Sequence, residues 1–325
     1  GILIKGGNYL EALAKADTVV FDKTGTLTEG RPQLVSIRPV GITADELIAL
    51  AAALEAGSEH PIAAAIRSYA EQQTVTVPAA TDFQAVFGRG VRARIGDDTC
   101  AAGNAALLAE LDVPLTDEIT AALDEMARRG ETALALVRAG RIVGLLGVRD
   151  AEKPTSAAAV ALMKEMGLTP VMLTGDDERT AQVIAARLGI DRVIAGVLPD
   201  GKRAAVAELQ ERGAVVAMVG DGVNDAAALA QASLGIAMGS GTDVAIEASD
   251  ITLAGSDLAS AATAIRISRR TLRVIKENLF WAFFYNVAMV PLAIAGLLSP
   301  MLASAAMACS SVFVVLNSLR LRSAS

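Results

Sequence analysis

Three short apolar runs of the sequence each end at a turn that carries aspartate and glycine. The turns are DKTGT at 22–26, TGD at 174–176 and GDGVND at 220–225, after the runs 17–21, 169–173 and 214–219. An apolar run of this length, bounded by turn residues, predicts a buried strand. Asp22 follows its strand directly, where backbone N–H groups of a glycine-rich turn surround the carboxylate. An aspartate so placed can attack phosphorus and form an acyl phosphate that water later hydrolyses.

The later turns supply what phosphoryl transfer needs besides a nucleophile. The transferring oxygens require charge neutralisation and in-line positioning by Mg²⁺, a lysine and hydrogen-bond donors. Asp221 and Asp225 offer the hard oxygen ligands that Mg²⁺ prefers, and Asn224 is placed to orient one of them. The predicted phosphate contacts are Thr174, Gly175 and Lys202. One aspartate in a glycine turn is often only a capped turn, but three at strand ends favour a phosphoryl-transfer site.

The segments between these strands have the alanine-rich apolar spacing of helices. Helices are predicted at 155–166, 178–188 and 202–210. Strands that alternate with helices form a parallel sheet with helices on both faces, so the predicted fold class is α/β. Ligands of such sheets bind beyond the carboxyl ends of the strands, where all three aspartate turns lie.

A segment with a different pattern interrupts this alternation. It contains helical runs at 44–54 and 61–72 and short strands at 85–87, 134–137 and 142–146. We interpret it as an inserted α+β domain whose ends return close together. The predicted division is 1–39 and 148–265 for the parallel-sheet domain, 40–147 for the insertion and 266–325 for a C-terminal segment.

The C-terminal segment has the composition of a transmembrane helical hairpin. No charged residue occurs in 278–319, and Ser-Pro at 299–300 divides this stretch into predicted spans at about 279–298 and 300–317, each long enough to cross a bilayer core. Basic residues flank both ends, which predicts that both are cytoplasmic. They are Arg266, Arg269, Arg270, Arg273, Lys276, Arg320 and Arg322. A buried core hairpin is the alternative.

The composition suits a soluble body that carries a membrane part. Hydrophobic residues make up 53% of the 325 residues and the mean hydropathy is +0.45, yet 20% of the residues are charged. The net charge of -7 argues against a general nucleic-acid binder, which needs a basic face. Two distant cysteines, Cys100 and Cys309, give no disulfide framework. The chain opens on Gly1 without a signal-peptide core, and we interpret it as a fragment whose N-terminal part is missing.

The three turns together resemble the motifs of P-type ATPases, whose phosphorylation domain has the haloacid-dehalogenase-like fold. The resemblance implies that ATP transiently phosphorylates Asp22, and that Asp22, the Thr24 carbonyl and Asp221 coordinate Mg²⁺. The catalytic residues implied by the matching motifs are Asp22, Lys23, Thr24, Thr174, Gly175, Asp176, Lys202, Asn224 and Asp225. The loop GSGTD at 239–243 resembles another loop of that domain, although its residues fit a plain surface turn equally well.

The inserted domain resembles the nucleotide-binding domain of the heavy-metal-transporting P-type ATPases. SEHP at 58–61 matches their histidine-proline signature, which by resemblance places His60 beside the adenine of ATP. A lone histidine is otherwise more often structural. The expected nucleotide contacts are Glu55, His60, Pro61, Gly88, Gly90, Gly103 and Asn104. The pattern GRG at 88–90 is weak by itself because it also fits a tight turn.

Polar side chains in the predicted spans are expected to line an ion path, since they are costly inside a membrane. They are Tyr285, Asn286, Met307, Ser310 and Ser311. A site without a carboxylate suits Cu(I), which accepts soft thioether sulfur. The three residues of the second span share one helix face at i, i+3 and i+4. Simple packing of the two helices is the alternative.

These polar residues resemble those of the copper(I)-exporting members, whereas zinc exporters carry lysine and aspartate there. The expected function is ATP-driven export of Cu(I) through an aspartyl phosphate, by a multi-pass protein of the bacterial cell membrane with cytoplasmic domains. Expected cofactors are ATP and Mg²⁺, and expected partners are copper, the lipid bilayer and a cytosolic copper chaperone, with no nucleic acid. The family's membrane Cys-Pro-Cys lies just upstream of a segment like GILIKGG, so the resemblance covers about the second half of a typical transporter.

Three alternatives stay open at this point. In the first alternative, the protein is a P-type ATPase that transports another ion, such as Ag(I) or Cu(II). The second is a membrane-tethered, Mg²⁺-dependent phosphatase of the same fold, which pairs its nucleophile with a second aspartate two residues on, where this sequence has Thr24. That difference favours a persistent acyl phosphate. The third is a non-enzymatic metal-binding or scaffolding hairpin, against which the full phosphoryl-transfer set argues.

Overall fold

The computed structural model describes residues 1–296 and 299–321, which form two sheets with their helices and a C-terminal helical hairpin. The strands are β1 (Ile2–Ile4), β2 (Thr18–Asp22), β3 (Gln33–Pro39), β4 (Ala80–Val86), β5 (Gly90–Ile95), β6 (Asp98–Gly103), β7 (Thr132–Arg138), β8 (Arg141–Arg149), β9 (Thr169–Leu173), β10 (Arg192–Ile194), β11 (Val216–Gly220), β12 (Leu234–Ala237) and β13 (Ile251–Leu253). The α-helices are α1 (Gly7–Lys15), α2 (Ala44–Leu54), α3 (Pro61–Gln72), α4 (Ala105–Glu110), α5 (Asp117–Arg128), α6 (Ser156–Glu165), α7 (Glu178–Leu188), α8 (Pro199–Glu211), α9 (Ala226–Gln231), α10 (Asp243–Ala248), α11 (Ala259–Ile294) and α12 (Pro300–Leu319).

The strands that precede the aspartate turns lie side by side in a seven-stranded sheet, in the order β1-β13-β12-β11-β2-β9-β10. Its neighbouring strands run parallel, except that β1 pairs antiparallel with β13 at one edge. The three turns therefore leave the same edge of the sheet. The predicted α/β fold class is confirmed.

Helices cover both faces of this sheet. Along β2, Val19 and Phe21 point to one face, where they pack with α1, α6, α7 and the start of α11, while Val20 points to the other face. There it packs with α8, α9 and α10. Because side chains alternate along a strand, a strand buried on both faces must be apolar throughout. This requirement explains the uninterrupted apolar run before Asp22.

A six-stranded antiparallel sheet forms the inserted domain, in the order β3-β8-β7-β6-β5-β4. Helices α2 and α3 pack on one of its faces, and α4 and α5 on the other. The sheet runs from Gln33 to Arg149, so the predicted limits at 40 and 147 cut off all of β3 and the last two residues of β8. Strand β3 was not predicted because it is defined by its pairing with the distant β8.

The two crossings between the domains run side by side and are joined through Asp150. Its carboxylate accepts hydrogen bonds from the N–H groups of Gly30 and Arg31, at 3.1 and 3.0 Å, and from the Thr28 hydroxyl at 2.5 Å. Asp150 is buried at this point. The crossings, residues 28–31 and 150–152, therefore form a hydrogen-bonded connection between the domains, here called the hinge.

The C-terminal hairpin consists of α11 and α12. Helix α11 has 36 residues, about 54 Å at 1.5 Å per residue. Its first two turns are buried in the core of the parallel-sheet domain, so the predicted boundary at 265/266 falls inside a continuous helix. Among the described residues, α11 alone is long and apolar enough to cross a membrane, and the apolar part of α12, Ser304–Leu319, is shorter. Residues 297, 298 and Arg322, included in the predicted hairpin, lie outside the described residues.

Candidate active site

The aspartate that ends β2 meets a lysine from α8 and a second aspartate from the turn after β11. The Lys202 ammonium donates hydrogen bonds to Asp22 Oδ1 and to Asp225 Oδ1, the second at 2.7 Å. Lys202 lies in the first turn of α8, which Pro199 begins. All three side chains are buried, so this is a desolvated ionic cluster rather than a surface salt bridge. Such a cluster is expensive unless the charges balance.

The charges of the cluster do not balance without a further cation. Burial and the Asp225 carboxylate raise the pKa of Asp22 to about 7, although Lys202 opposes the shift. Burial and Asp225 likewise raise the pKa of Asp221 to about 6. Burial disfavours the charged form of Lys202, but Asp22 and Asp225 outweigh it and raise the lysine pKa. The site is therefore electrostatically suited to bind a cation.

The donor set fits Mg²⁺. Asp22, Asp221 and Asp225 each place a carboxylate oxygen within 4.8 Å of the others. A Cβ on Gly25 would lie 1.8 Å from Asp221 Oδ2, and Gly25 has a φ of 74°, so glycine is required where the first turn passes this carboxylate. Hard carboxylate oxygens are the ligands that Mg²⁺ prefers, usually one or two with retained waters.

A second ion pair joins the first turn to the second. Lys23 Nζ lies 2.7 Å from Asp176 Oδ2, and both side chains are largely buried. Burial disfavours the charged lysine, but the Asp176 carboxylate outweighs this and raises the pKa of Lys23. The Thr174 hydroxyl accepts a hydrogen bond from the Asp176 N–H at 3.2 Å, and Gly175 lies between them with its Cβ position 3.3 Å from Val197 O. The structure thus gives Lys23 and Asp176 a part in shaping the site.

The role predicted for Asn224, to orient a metal-binding aspartate, stays a prediction. Asn224 is exposed, and within the described part of the chain no hydrogen bond joins its side chain to an aspartate. Asp225 is oriented instead by Lys202 and by the Gly222 N–H, 3.2 Å from its Oδ2. Asn224 is the middle residue of the short turn Val223–Asp225. Thr24 lies half-buried on the first turn, next to the cluster.

The glycine positions predicted to contact nucleotide come together on the six-stranded domain. Asn104 Nδ2 donates to Gly88 O at 3.0 Å, and the Asn104 side-chain oxygen caps the N-terminus of α4. A Cβ on Gly90 would lie 2.1 Å from Ala102 O, and one on Gly103 would lie 2.3 Å from Arg89 O. The two loops approach so closely that both positions need glycine.

Glu55, His60 and Pro61 lie in the connection between α2 and α3. Glu55 is buried, and burial raises its pKa. Arg67 holds the connection by donating to Glu55 O and Ser58 O, at 2.5 and 2.9 Å. His60 is the N-cap of α3, where its Nδ1 accepts from the Ile62 N–H at 3.2 Å, and Pro61 is the first helical residue. His60 therefore has a structural role that uses one of its two ring nitrogens.

The nucleotide-side loops face the carboxyl edge of the seven-stranded sheet. Gly88 lies against Leu198, the residue before α8, so that an added Cβ would be 2.6 Å from the leucine side chain. Although His60 is exposed at the residue level, neighbouring atoms desolvate its ring and lower its pKa, and the charges of Asp176 and Lys23 act on it in opposite directions. The two domains thus lie in a closed arrangement around the candidate site.

The structure only partly brings together the residues predicted for the ion path. The hairpin register is set by Asn278 with Ser318, at 2.9 Å, and by Trp281 with Phe313. Tyr285 and Ser310 are half-buried at the corresponding level of the two helices, whereas Met307, Ser311 and Asn286 are exposed outside their interface. Ser310 therefore does not share the open face of Met307 and Ser311.

Comparison with known sequences assigns the family. A family model of the haloacid dehalogenase-like hydrolases matches residues 16–233, from before the first aspartate turn to beyond the third. The chain belongs to this family. It is also similar to the probable copper-exporting P-type ATPase V of Mycobacterium tuberculosis, with 52% identity over 99% of this chain and 42% of that protein. The copper-exporting P-type ATPase of Staphylococcus haemolyticus is 47% identical over 99% of this chain and 40% of its own length.

Solved structures lead to the same group of proteins. A zinc-transporting PIB-type ATPase in its E2.Pi state has a TM-score of 0.71 and 37% identity, over 99% of this chain and 52% of that one. The catalytic domain of the CPx-ATPase CopB-B has a TM-score of 0.64 and 32% identity, over 82% of this chain and 94% of that one. The resemblance to P-type ATPases is confirmed. The chain spans less than half the length of the curated relatives it matches.

Two residues that hold the first turn in this haloacid dehalogenase-like chain were missed by sequence reasoning. Lys153 Nζ donates to Gly25 O at 2.5 Å. The Thr28 hydroxyl accepts from the Gly25 N–H at 3.2 Å and donates to Asp150. The carbonyl contact of Lys153 leaves no pattern in the sequence. Thr28 could have been noticed, since it continues the hydroxyl-rich run after Asp22.

Proposed function

We propose that this chain is the catalytic and C-terminal membrane portion of an ATP-driven copper(I) exporter that works through an aspartyl phosphate on Asp22. The observation that carries the proposal is the buried cluster in which Lys202 joins Asp22 and Asp225 beside Asp221. It combines a nucleophile, a fixed cation and oxygen ligands for a metal at the carboxyl edge of a parallel sheet. Phosphoryl transfer needs these parts, and little covalent chemistry from the protein besides the nucleophile.

In the proposed reaction an Asp22 oxygen attacks the γ-phosphorus of ATP. The new O–P bond forms as the bond from that phosphorus to the β,γ-bridging oxygen breaks, and ADP leaves with the bonding electrons. Lys202 offsets the negative charge of the transferring oxygens, and Thr174 offers a hydroxyl beside them. Water then attacks the aspartyl phosphate and releases phosphate, which regenerates the carboxylate.

The same carboxylates suit Mg²⁺. Asp22, Asp221 and the Thr24 carbonyl would hold it, with Asp225 close by, and it would supply charge neutralisation at the phosphoryl oxygens. Lys23 contributes indirectly, because its ion pair with Asp176 fixes the turn on which Asp22 and Thr24 lie.

ATP is proposed to bind the six-stranded domain near His60, Glu55 and the loops of Gly88–Gly90 and Gly103–Asn104. The close approach of Gly88 to Leu198 supports a closed arrangement in which a nucleotide there reaches Asp22. Lid and domain closures of this kind commonly complete a phosphoryl-transfer site. The relatives whose alignments cover 99% of this chain are named copper-exporting P-type ATPases, which supports the proposal of a heavy-metal exporter.

Copper(I) is the proposed ion because of the hairpin. Met307, Ser311 and Asn286 are each exposed on the hairpin, and they offer a thioether, a hydroxyl and an amide but no carboxylate. Such donors suit a soft monovalent ion better than Zn²⁺. We propose that membrane helices outside this chain complete the ion site. The hairpin would place the protein in a membrane as a multi-pass protein, with both catalytic domains on the cytoplasmic side and a cytosolic copper chaperone as ion donor.

Acid-quenched labelling tests the proposal. The chain is incubated with γ-labelled ATP and Mg²⁺, quenched in acid and challenged with hydroxylamine, alongside Asp22→Asn and the surface control Asp191→Asn. Hydroxylamine-sensitive label in the chain and the control, but not in Asp22→Asn, is the expected result. Label that survives in Asp22→Asn would refute the assignment of the nucleophile. Rapid loss of label without copper-dependent turnover in the full-length protein would favour the phosphatase.

A further inference from the structure

The loop Met238–Thr242 after β12 touches the backbone of Asp221. The Thr242 N–H donates to Asp221 O at 2.8 Å. A Cβ on Gly241 would lie 2.7 Å from the same oxygen and 3.1 Å from Asp221 Cα, so no side chain fits there. The obstructing atoms belong to backbone, which cannot move aside as a flexible side chain can. The loop therefore holds the backbone of Asp221 in place, which a plain surface turn would not do.

The other end of the loop touches the segment that leads into α11. The Gly239 N–H donates to Gly255 O at 3.1 Å, and a Cβ on Gly239 would lie 2.2 Å from Leu253 O. Two residues after Gly255, Asp257 accepts from the Ala259 N–H at 3.0 Å and so caps the first turn of α11. The next residue, Leu258, is fully buried in the domain core. The start of the long helix is thus fixed to the domain by the same contacts.

We propose that the loop Met238–Thr242 is a positioning element that fixes Asp221 for metal binding and connects its backbone to the segment Gly255–Leu258 at the base of α11. The inference rests on the proposed metal site. The contacts on both sides are backbone contacts without spare room, and tightly packed atoms transmit a displacement instead of absorbing it. A shift of Asp221 on metal binding must therefore move the loop, and the loop must press on the segment that begins α11.

Metal binding to the whole chain in detergent tests the first half of the inference. Mn²⁺ serves as the probe, and free Mn²⁺ is counted by electron paramagnetic resonance. Gly241→Ala is expected to weaken Mn²⁺ binding by about tenfold or more, as loss of a support behind a metal ligand commonly does. The matched control is Gly7→Ala, where an added Cβ meets no atom within 4 Å.

A second pair of variants keeps the test informative if Gly241→Ala fails to fold. Thr242 has a φ of −70°, which proline adopts, so Thr242→Pro removes the N–H that bonds Asp221 O without demanding a new backbone angle there. Thr242→Ala keeps that N–H and loses only the side-chain cap of α10. Weaker Mn²⁺ binding in Thr242→Pro than in Thr242→Ala is expected, and equal binding would refute the positioning role.

Hydrogen exchange tests the connection to α11. In the wild-type chain Mn²⁺ should slow amide exchange in Gly255–Leu258, and Gly241→Ala should remove that effect when measured at saturating Mn²⁺. Exchange in this segment that ignores Mn²⁺ in the wild type would refute the connection. Unchanged Mn²⁺ binding in an Asp221→Asn variant would instead contradict the proposed metal site itself, so the two failures are distinguishable.

Discussion

At the scale of single residues, Lys202 decides whether two buried carboxylates can remain charged. Replacing it with methionine keeps the length of the side chain but leaves Asp22 and Asp225 without a cation. Breaking a buried ion pair by removing one partner costs about 3–5 kcal/mol. In Lys202→Met the carboxyls can take up protons instead, so the loss of stability should be smaller at low pH. Loss of the phosphoenzyme is expected at every pH.

Thermal unfolding of the whole chain in chelator, followed at low and at neutral pH, measures this prediction. Lys164→Met is the control, since its partner Asp191 is 87% exposed and a surface pair contributes at most about 1 kcal/mol. A Lys202→Met variant as stable as the control at neutral pH would show that the cluster is not ionised as the geometry indicates.

The raised pKa values of Asp22, about 7, and Asp221, about 6, predict how Mg²⁺ stabilises the protein. Both values exceed those of the unfolded chain, so the metal-free site contributes its stability at low pH and loses it as pH rises through about 6 to 7. Metal binding needs the deprotonated ligands and therefore competes with protons. The rise in unfolding temperature caused by Mg²⁺ should be small near pH 5 and large near pH 8.

Thermal unfolding with Mg²⁺ and with chelator, repeated across that pH range, measures this prediction. The difference between the two unfolding temperatures at each pH removes the contribution of titrating groups that do not bind the metal. Asp221→Asn should show a smaller Mg²⁺ effect that varies less with pH. A Mg²⁺ effect independent of pH in the wild-type chain would mean that these carboxyls are already ionised without metal.

At the scale of elements, the sequence predicted the strands before the aspartate turns and several helices, but it did not predict several strands of both sheets. Helices α2, α3 and α7 and strand β9 have the predicted limits, because capping residues, glycines and prolines mark their ends locally. The strands that were not predicted are β1, β3, β5, β6, β10, β12 and β13. Strand β3, for example, is defined by its pairing with the distant β8. The meeting of Asp22 and Asp225 was predictable because both belong to turns at the carboxyl edge of one parallel sheet. Lys202 was predicted only as a phosphate contact, and the contact of Lys153 with a backbone carbonyl was not predicted.

The hinge between the two domains depends on the carboxylate of Asp150. Asp150→Ala would leave the buried Thr28 hydroxyl and two part-buried N–H groups without this acceptor. Each buried donor left unsatisfied costs about 1–3 kcal/mol. We expect a lower unfolding temperature and faster proteolytic cleavage within residues 28–33, while Asp98→Ala, which removes only a partly exposed pair with Arg138, should change neither. Unchanged cleavage in Asp150→Ala would refute the hinge assignment.

At the scale of the whole molecule, contacts far from the active site hold the two domains together. Helix α5 of the inserted domain packs against α7 of the parallel-sheet domain. Arg187 Nη2 donates to Arg129 O at 2.9 Å. The Thr180 hydroxyl, whose shorter hydrogen bond goes to Asp177 Oδ2 at 2.6 Å, lies 3.3 Å from Glu131 O. The nucleotide side is therefore held over Asp22 by polar contacts as well as by the hinge. Opening must break these contacts first.

Arg187 is the residue that joins the inserted domain to the hinge, because its other nitrogen contacts Glu152 Oε1 at 3.2 Å. Arg187→Ala removes a hydrogen bond between the domains that contributes about 1 kcal/mol, equivalent to roughly fivefold in the closed population. Small-angle scattering of Arg187→Ala without nucleotide should show a larger radius of gyration than the wild-type chain.

Phosphorylation of Asp22 in Arg187→Ala should slow by a similar factor while ATP affinity stays unchanged, since the expected nucleotide contacts lie elsewhere. Arg212→Ala, which loses only a pair within α8, is the control. Slower phosphorylation together with weaker ATP binding would place Arg187 in the nucleotide site rather than in domain closure.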